Sequence, residues 1–349
     1  MQGEVSAGRP TYGRRETPSA VTVARAAGVS AAAVSYVMNG KAGVSTETRA
    51  HILSVAKQLG YGQNLSQVAQ FQRTRVIGLV FPNIINPMLP RWGQGIITAA
   101  AAADYEVYLA TTQDDPEALA KVTASFASHK VDGVIVAAAL RKDATALRTL
   151  RNSKIPFVYL SRRSKFVDGD FVGIDDLAAG AQMMEHVLSH GYTDIATVVG
   201  PRFSTASFAR ERGFVQAAAA AGVEIPEQRK ISTHLNNDGG RRGAEKLFTS
   251  GDPPRAIVCG SDEIAIGVME YAVDHGIRVP EDVAVTGFDG LPHSMSGLIR
   301  MTTMVQPQLE MATEAFAMLL KRMQTPSKTY QTLLCAHRLH VGRTCGCSA

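Results

Sequence analysis

Apolar positions in the first sixty residues recur at helical spacing. Val23, Ala24 and Ala27 make one short stripe, and Val34 and Val37 make a second at i, i+3. Only Ala27-Gly28-Val29 separates the two predicted helices. Gly28 falls where the chain must reverse, and glycine takes positive φ without steric cost. Ser30 follows as an N-cap for the second helix. A third helix is predicted within 44–61, with Ile52, Leu53, Ala56 and Leu59 as its apolar stripe and Gly60 as its stop. Together these make a helix-turn-helix, whose second helix can lie in a DNA major groove.

From Arg75 the pattern changes. Short apolar runs at 76–81, 106–111, 133–138 and 157–161 predict strands, with helical stretches such as 90–103 and 115–129 between them. A second set follows at 195–200, 230–233, 256–260 and 283–288, separated by helical stretches at 175–190, 206–221, 238–250 and 261–275. Two successive β/α sets of similar size predict two doubly wound lobes. The cleft between them, at the strand C-termini, is the expected ligand site.

The charge distribution sharpens this picture. Of the net +5, residues 1–75 carry nine Lys/Arg against three acids, whereas the rest carries 27 against 28. The surplus positive charge therefore sits on the helix-turn-helix segment, where phosphate contact needs it. No apolar run approaches ~18 residues, so no membrane span is expected. The polar, Gly/Pro-rich N-terminus lacks a signal-peptide core, and a cytoplasmic protein is expected. No dinucleotide fingerprint, P-loop, nucleophile elbow or zinc-protease motif is present, so no catalysis and no cofactor are expected. The histidines look scattered, without metal spacing, and Cys345-x-Cys347 reads as an exposed, mobile end, with a metal site or a disulfide as the alternatives.

The headpiece resembles that of the lactose/galactose repressor (LacI/GalR) family. Val23, Ala24, Ala27, Gly28, Val29, Ser30, Val34, Ser35, Val37 and Asn39 match its pattern, while Ala33 replaces a threonine and Met38 a leucine. Further phrases match in order through the chain. They include Asn86-Pro87, Asp114 to Glu117, Gly173-Ile174-Asp175-Asp176, Gly213-Phe214, Ser261-Asp262, Gly287-Phe288-Asp289 and Gln306-Pro307. The likeness runs from about Val21 to about Arg343 and implies a periplasmic-binding-protein-like α/β core behind an all-α headpiece.

The resemblance also implies domains and site residues. The expected boundaries are a flexible basic arm at 1–20, the headpiece at 21–62 and a hinge at 63–75. An N-lobe is expected at 76–161 plus 292–324, and a C-lobe at 162–291 plus 325–349. Ala31, Ala32 and Tyr36 stand at base-reading positions. The two alanines offer no hydrogen bonds and can only touch thymine methyls or clear space, so this reading face is plain. Ser30, Ser35, Asn39, Thr48 and Arg49 stand at phosphate-holding positions. In the hinge, Asn64 and Val68-Ala69 fit the family, but Gln63 replaces its proline. Leu65, Val68 and Phe71 are alternatives for a minor-groove wedge.

In the cleft the resemblance implies effector contacts from Arg210, Asp289, Ser261 and Asp262, with Ser161 standing where many members carry an aspartate. Asn86, Phe203 and Trp92 are further lining candidates, with helix packing or a dimer surface as the other reading for Trp92. An interlobe salt bridge is the other reading of Arg210 and Asp289. The implied function is a transcriptional regulator, a repressor acting as a homodimer on a pseudo-palindromic double-stranded operator. A small polar effector, a sugar or polyol, would switch it. A solute-binding protein of a transport system and an enzyme on a Rossmann-like core are the alternatives.

Overall fold

The computed structural model describes residues 19–38, 43–59, 61 and 73–347. The chain divides into two compact units, one ending at Arg73 and one beginning at Thr74.

The first unit is built from α1 (Ala20–Ala27), α2 (Ala31–Met38) and α3 (Thr46–Gln58). Ser19 caps α1 through a capping box with Thr22, so residues 19 and 20 belong to the first helix rather than to the arm. Gly28 ends α1 at φ 67°, ψ 30°, and its amide bonds back to the Ala24 carbonyl. An added Cβ would meet nothing within 4 Å there, so it is the left-handed backbone that favours glycine. The Ser30 hydroxyl accepts from the Ala33 amide at 3.1 Å and starts α2, which leaves α1 at 110°. Val23, Ala27, Val34 and Val37 are buried together with Ile52 and Ala56 of α3. The predicted stripe of α3 needs correction. Leu53 and Leu59 are exposed, and Val55 packs on the core instead. An i, i+3, i+4 set, here Ile52, Val55 and Ala56, fits the narrow face that a three-helix unit can cover.

The second unit holds two six-stranded sheets. The first is assembled from β1 (Val76–Phe81), β2 (Glu106–Thr111), β3 (Gly133–Val136), β4 (Phe157–Leu160), β5 (Asp170–Gly173) and β11 (Thr332–Leu334). All its pairs are parallel, in the order β11-β5-β4-β3-β1-β2. Helices α4 (Met88–Ala101), α5 (Pro116–Ser128) and α6 (Thr145–Asn152) follow its strands, and α11 (Gln308–Gln324) packs on α4 and on β3, β4 and β5. Strands β3 and β4 are buried along their whole length, which is why they read as unbroken apolar runs.

The second sheet comprises β6 (Ile195–Val199), β7 (Lys230–Ser232), β8 (Ala256–Cys259), β9 (Ala284–Asp289), β10 (Thr302–Val305) and β12 (Arg338–His340). Its order is β12-β10-β9-β8-β6-β7, with only the β10–β12 pair antiparallel. Its helices are α7 (Asp176–Ser189), α8 (Thr205–Ala220), α9 (Asn237–Phe248) and α10 (Asp262–Asp274).

These pairings move the lobe boundaries. Residues 170–173, assigned above to the C-lobe, form β5 in the first sheet; 302–305, assigned to the N-lobe, form β10 in the second. The tail divides, β11 joining the first sheet and β12 the second. The chain therefore crosses between β5 and α7, between β10 and α11, and between β11 and β12, not near 161–163, 290 and 325. Neither β5 nor β10 is an apolar run. Asp170 of β5 is buried because Arg322 of α11 meets it through two bonds, Nε at 2.6 Å and Nη2 at 2.9 Å. The tail is not loose either: Cys345 is fully buried, and the Thr344 carbonyl accepts from the Val285 amide at 2.8 Å.

Candidate DNA-binding and effector-binding sites

Burying Val34 and Val37 turns the opposite face of α2 outward. Ala31, Ala32, Ser35 and Tyr36 are all exposed there, and Ser30 is exposed at the helix start. The Ser30 hydroxyl accepts its capping bond and keeps its proton to donate. On α3, Ser45 caps the helix by accepting from the Thr48 amide at 3.2 Å, which sets Thr48 and Arg49 in the first turn, both half-exposed. Asn39, Asn64, Gln63, Leu65, Val68, Phe71 and the arginines of the N-terminal arm lie outside the described residues.

In the second unit, a cavity of about 230 Å3 opens at the strand C-termini between the two sheets. Its first wall carries Ile85, Asn86, Met88, Leu89, Trp92 and Ser161, and its second carries Arg210, Leu235 and Asp289. Arg210 is held in place on every side. Its Nε donates to Asp176 Oδ1 at 2.8 Å, and its Nη1 donates to the Gly260 carbonyl at 2.8 Å and to Asp289 Oδ1 at 3.2 Å. The guanidinium also lies 3.9 Å from the Phe288 ring centre. Its backbone is fixed by the close packing of α7 and α8. A Cβ on Gly180 would sit 2.5 Å from the Arg210 carbonyl oxygen, and one on Gly213 would sit 2.2 Å from that of Leu177. The pair is thus within one lobe, on α8 and β9, and is not an interlobe bridge.

Asp289 ends β9 at φ 124°, a conformation that costs an L-residue energy and persists only where its surroundings hold it. Gln308 Nε2 donates to its carbonyl at 2.9 Å, and Gln306 Nε2 donates to its Oδ1 at 2.7 Å. Burial pushes the Asp289 carboxyl up to about 7; Arg210 opposes the rise and the nearby Asp262 adds to it. Asp176 is likewise raised by burial, against the pull of Arg210. Asp289 Oδ2 and Arg210 Nη2 make no hydrogen bond to the described residues. Nor do two buried polar atoms of residues that line the same cavity, Gln306 Oε1 and Trp92 Nε1. Buried polar atoms are rarely left without partners, and these two, beside the open positions on Asp289 and Arg210, suit the cleft to a hydrogen-bonding ligand.

Relatives agree along the chain. Residues 22–64 match the model of bacterial regulatory proteins, lacI family, and residues 184–345 match that of a periplasmic binding protein-like domain. The HTH-type transcriptional regulator DegA of Bacillus subtilis is 32% identical over 295 residues, covering 84% of this chain and 87% of DegA. The chain belongs to the LacI family. MalR of Streptomyces coelicolor, another HTH-type transcriptional regulator, is 32% identical over 308 residues, covering 86% of this chain and 88% of its own. The structure of the transcriptional regulator CelR in complex with cellobiose superposes with a TM-score of 0.72 at 27% identity, covering 94% of this chain and 99% of CelR. The protein is thus a ligand-responsive, DNA-binding transcriptional regulator.

Of the cleft residues named from this LacI-family resemblance, Asn86, Ser161, Arg210, Asp289 and Trp92 line the cavity. Three do not. Ser261 caps α10 by accepting from the Ile264 amide at 3.2 Å. Asp262 spends its carboxylate on the Thr303 hydroxyl at 2.5 Å and the Leu291 amide at 2.7 Å, tying β10 and the post-β9 loop to α10. Phe203 lines a neighbouring pocket between the lobes instead, where its carbonyl accepts from the Arg141 amide at 2.8 Å. Gln306 and the Asp114–Arg162 ion pair at 2.7 Å line the cavity but were not anticipated there. Their motifs, Asp114 to Glu117 and Gln306-Pro307, did stand out in the sequence; their side-chain directions did not.

Proposed function

We propose that this regulator is a repressor whose operator affinity is switched by a sugar or related polyol bound between the lobes. The observation that carries this is the set of Arg210 Nη2, Asp289 Oδ2, Gln306 Oε1 and Trp92 Nε1. The four residues, charged and neutral, line one cavity together with the apolar Met88, Leu89 and Leu235. A polyhydroxylated ring offers matching hydroxyls and a C–H face. The cellobiose in the complex of the related CelR supports the ligand class, and the Escherichia coli ribose operon repressor, 26% identical over 312 residues, supports the sign. The effector acts through its unequal affinity for two lobe arrangements.

The regulator works as a homodimer on a pseudo-palindromic operator, each subunit presenting the exposed face of α2 to a half-site. Supporting dimerisation, edge strand β2 exposes Tyr108 and Leu109, and α4 beside it exposes Ile97. No single described helix is long and apolar enough to cross a membrane; the cytoplasmic location belongs to the proposed operator binding. Fluorescence anisotropy on the gene's own upstream DNA, with and without a panel of mono- and disaccharides, tests the reading. One sugar should change operator affinity, and Gln306→Ala should weaken that response while leaving ligand-free DNA binding intact. An unchanged response in Gln306→Ala and Asp289→Asn would remove the cleft from the switch.

A further inference from the structure

At the far end of α7 from the cleft, four side chains converge that the effector site does not use. His186 lies in the last turn of α7, and His190 follows one turn later, so both rings project from one face. The tail brings Cys345 and Cys347 to meet them. Cys345 Sγ lies 3.3 Å from His186 Nε2, and Cys347 Sγ lies 3.2 Å from His190 Nε2 and 3.8 Å from His186 Nε2. All four ligand atoms fall within 4.8 Å of one another. A tetrahedral zinc with bonds of ~2.3 Å to sulfur and ~2.0–2.1 Å to nitrogen holds its sulfur and nitrogen ligands roughly 3.6 Å apart. The three sulfur–nitrogen separations bracket that value.

We propose that His186, His190, Cys345 and Cys347 bind one zinc ion, fastening the C-terminal tail to α7. The surroundings are those of a built site. Thr302 Oγ1 accepts from the Gly342 amide at 2.8 Å and stands 2.9 Å from Cys345 Sγ, in place to donate its proton to a thiolate. Gly346 takes φ 96° between the two cysteines, a turn that brings both sulfurs to the same side. Cys345 is buried, Cys347 and His186 are half-exposed, and His190 is exposed, which leaves a path for the ion. Two imidazoles and two thiolates select zinc over magnesium or calcium, and four protein ligands make the site structural rather than catalytic. The ion would clamp one end of α7, while Asp176 at the other end holds Arg210 in the cleft.

The test uses the full chain, reduced and free of any histidine tag. Elemental analysis should find one zinc per chain. Replacement by Co(II) should give the intense visible bands of a tetrahedral site and a thiolate-to-cobalt charge-transfer band. Zinc added back to chelated protein should raise its melting temperature. Because Cys345→Ser alters a buried position, the half-exposed Cys347→Ser and the exposed His190→Gln carry the comparison. Both should keep wild-type circular dichroism, lose the stoichiometric metal and show no zinc-dependent rise in melting temperature. Wild-type metal content in both variants would overturn the proposal. So would a metal-free reduced chain with no cobalt spectrum, or a Cys345–Cys347 disulfide in chain trapped directly from cells.

Discussion

Gly213→Ala probes whether the packing of α7 on α8 is what aims Arg210. The new Cβ would lie 2.2 Å from the Leu177 carbonyl oxygen, 2.8 Å from the Ala181 nitrogen and 3.0 Å from the Gly180 Cα. All three are backbone atoms, so no rotamer change relieves them. A C···O contact closes to about 3.3 Å, so the helices must part by about 1 Å. Overpacking of this kind costs ~1–3 kcal/mol, which for a core of this size lowers the melting temperature by roughly 2–10 °C. Arg210 stands one turn before Gly213, and its 2.8 Å bond to Asp176 spans the two helices. Parting them stretches that bond to about 3.8 Å, beyond hydrogen-bond length. A misaimed guanidinium forfeits a charged hydrogen bond to the effector, worth ~1.5–3 kcal/mol, or roughly 10- to 100-fold in Kd. Calorimetric titration with the effector and a thermal melt measure the two effects. Gly297→Ala is the control, because nothing lies within 4 Å of its Cβ position. If Gly213→Ala bound effector within about twofold of wild type and melted at the wild-type temperature, the helix packing would not be what positions Arg210.

Three further outcomes are expected. In the proposed complex an effector hydroxyl donates to the Asp289 carboxylate, which its acid form would not accept as well; because burial raises that carboxyl to about 7, effector affinity should fall as pH drops from about 8 to about 6, and Asp289→Asn should flatten the profile in calorimetry. Ser30→Ala removes the cap of α2 and should cost ~0.5–2 kcal/mol of headpiece stability; operator affinity measured by anisotropy should drop with it, and unchanged headpiece melting would refute the capping role. Arg322→Met leaves Asp170, 1% exposed, facing only the Gln331 amide; denaturant unfolding should show a loss of ~3–5 kcal/mol, and a change below ~1 kcal/mol would mean that the ion pair does not hold β5 and β11 in place.

Much of the core was legible because most of its central strands are buried on both faces and so are written as apolar runs. Strands β1 and β2 begin and end where the sequence pattern puts them. The strands that escaped notice are the polar ones. Asp170 in β5 and the threonine hydroxyls of β10 are admissible in a sheet interior only because partners distant in sequence satisfy them: Arg322 for Asp170, the Gly342 amide for Thr302 and the Asp262 carboxylate for Thr303. Those partners decided which lobe each strand joined.

The site divides the same way. Motif order marked Arg210 and Asp289, because the strand ends and helix starts that face the cleft are local features. Ser261 and Asp262 share that location, but their polar atoms are consumed by a helix cap and by β10. Only the three-dimensional hydrogen-bond account separates a ligand-facing carboxylate from a structural one. The histidines of α7 make the point most sharply. They are four residues apart and looked scattered until the tail brought Cys345 and Cys347 to them.

By itself, then, the sequence determined the helix-turn-helix, the two β/α sets and the cleft between them, since each rests on periodicity, capping and turn chemistry within a few residues. The tertiary structure alone decided where the chain crosses between lobes, which polar atoms remain open to a ligand, and how the tail meets α7. Those are matters of pairing between groups far apart in the chain, and no local pattern encodes them.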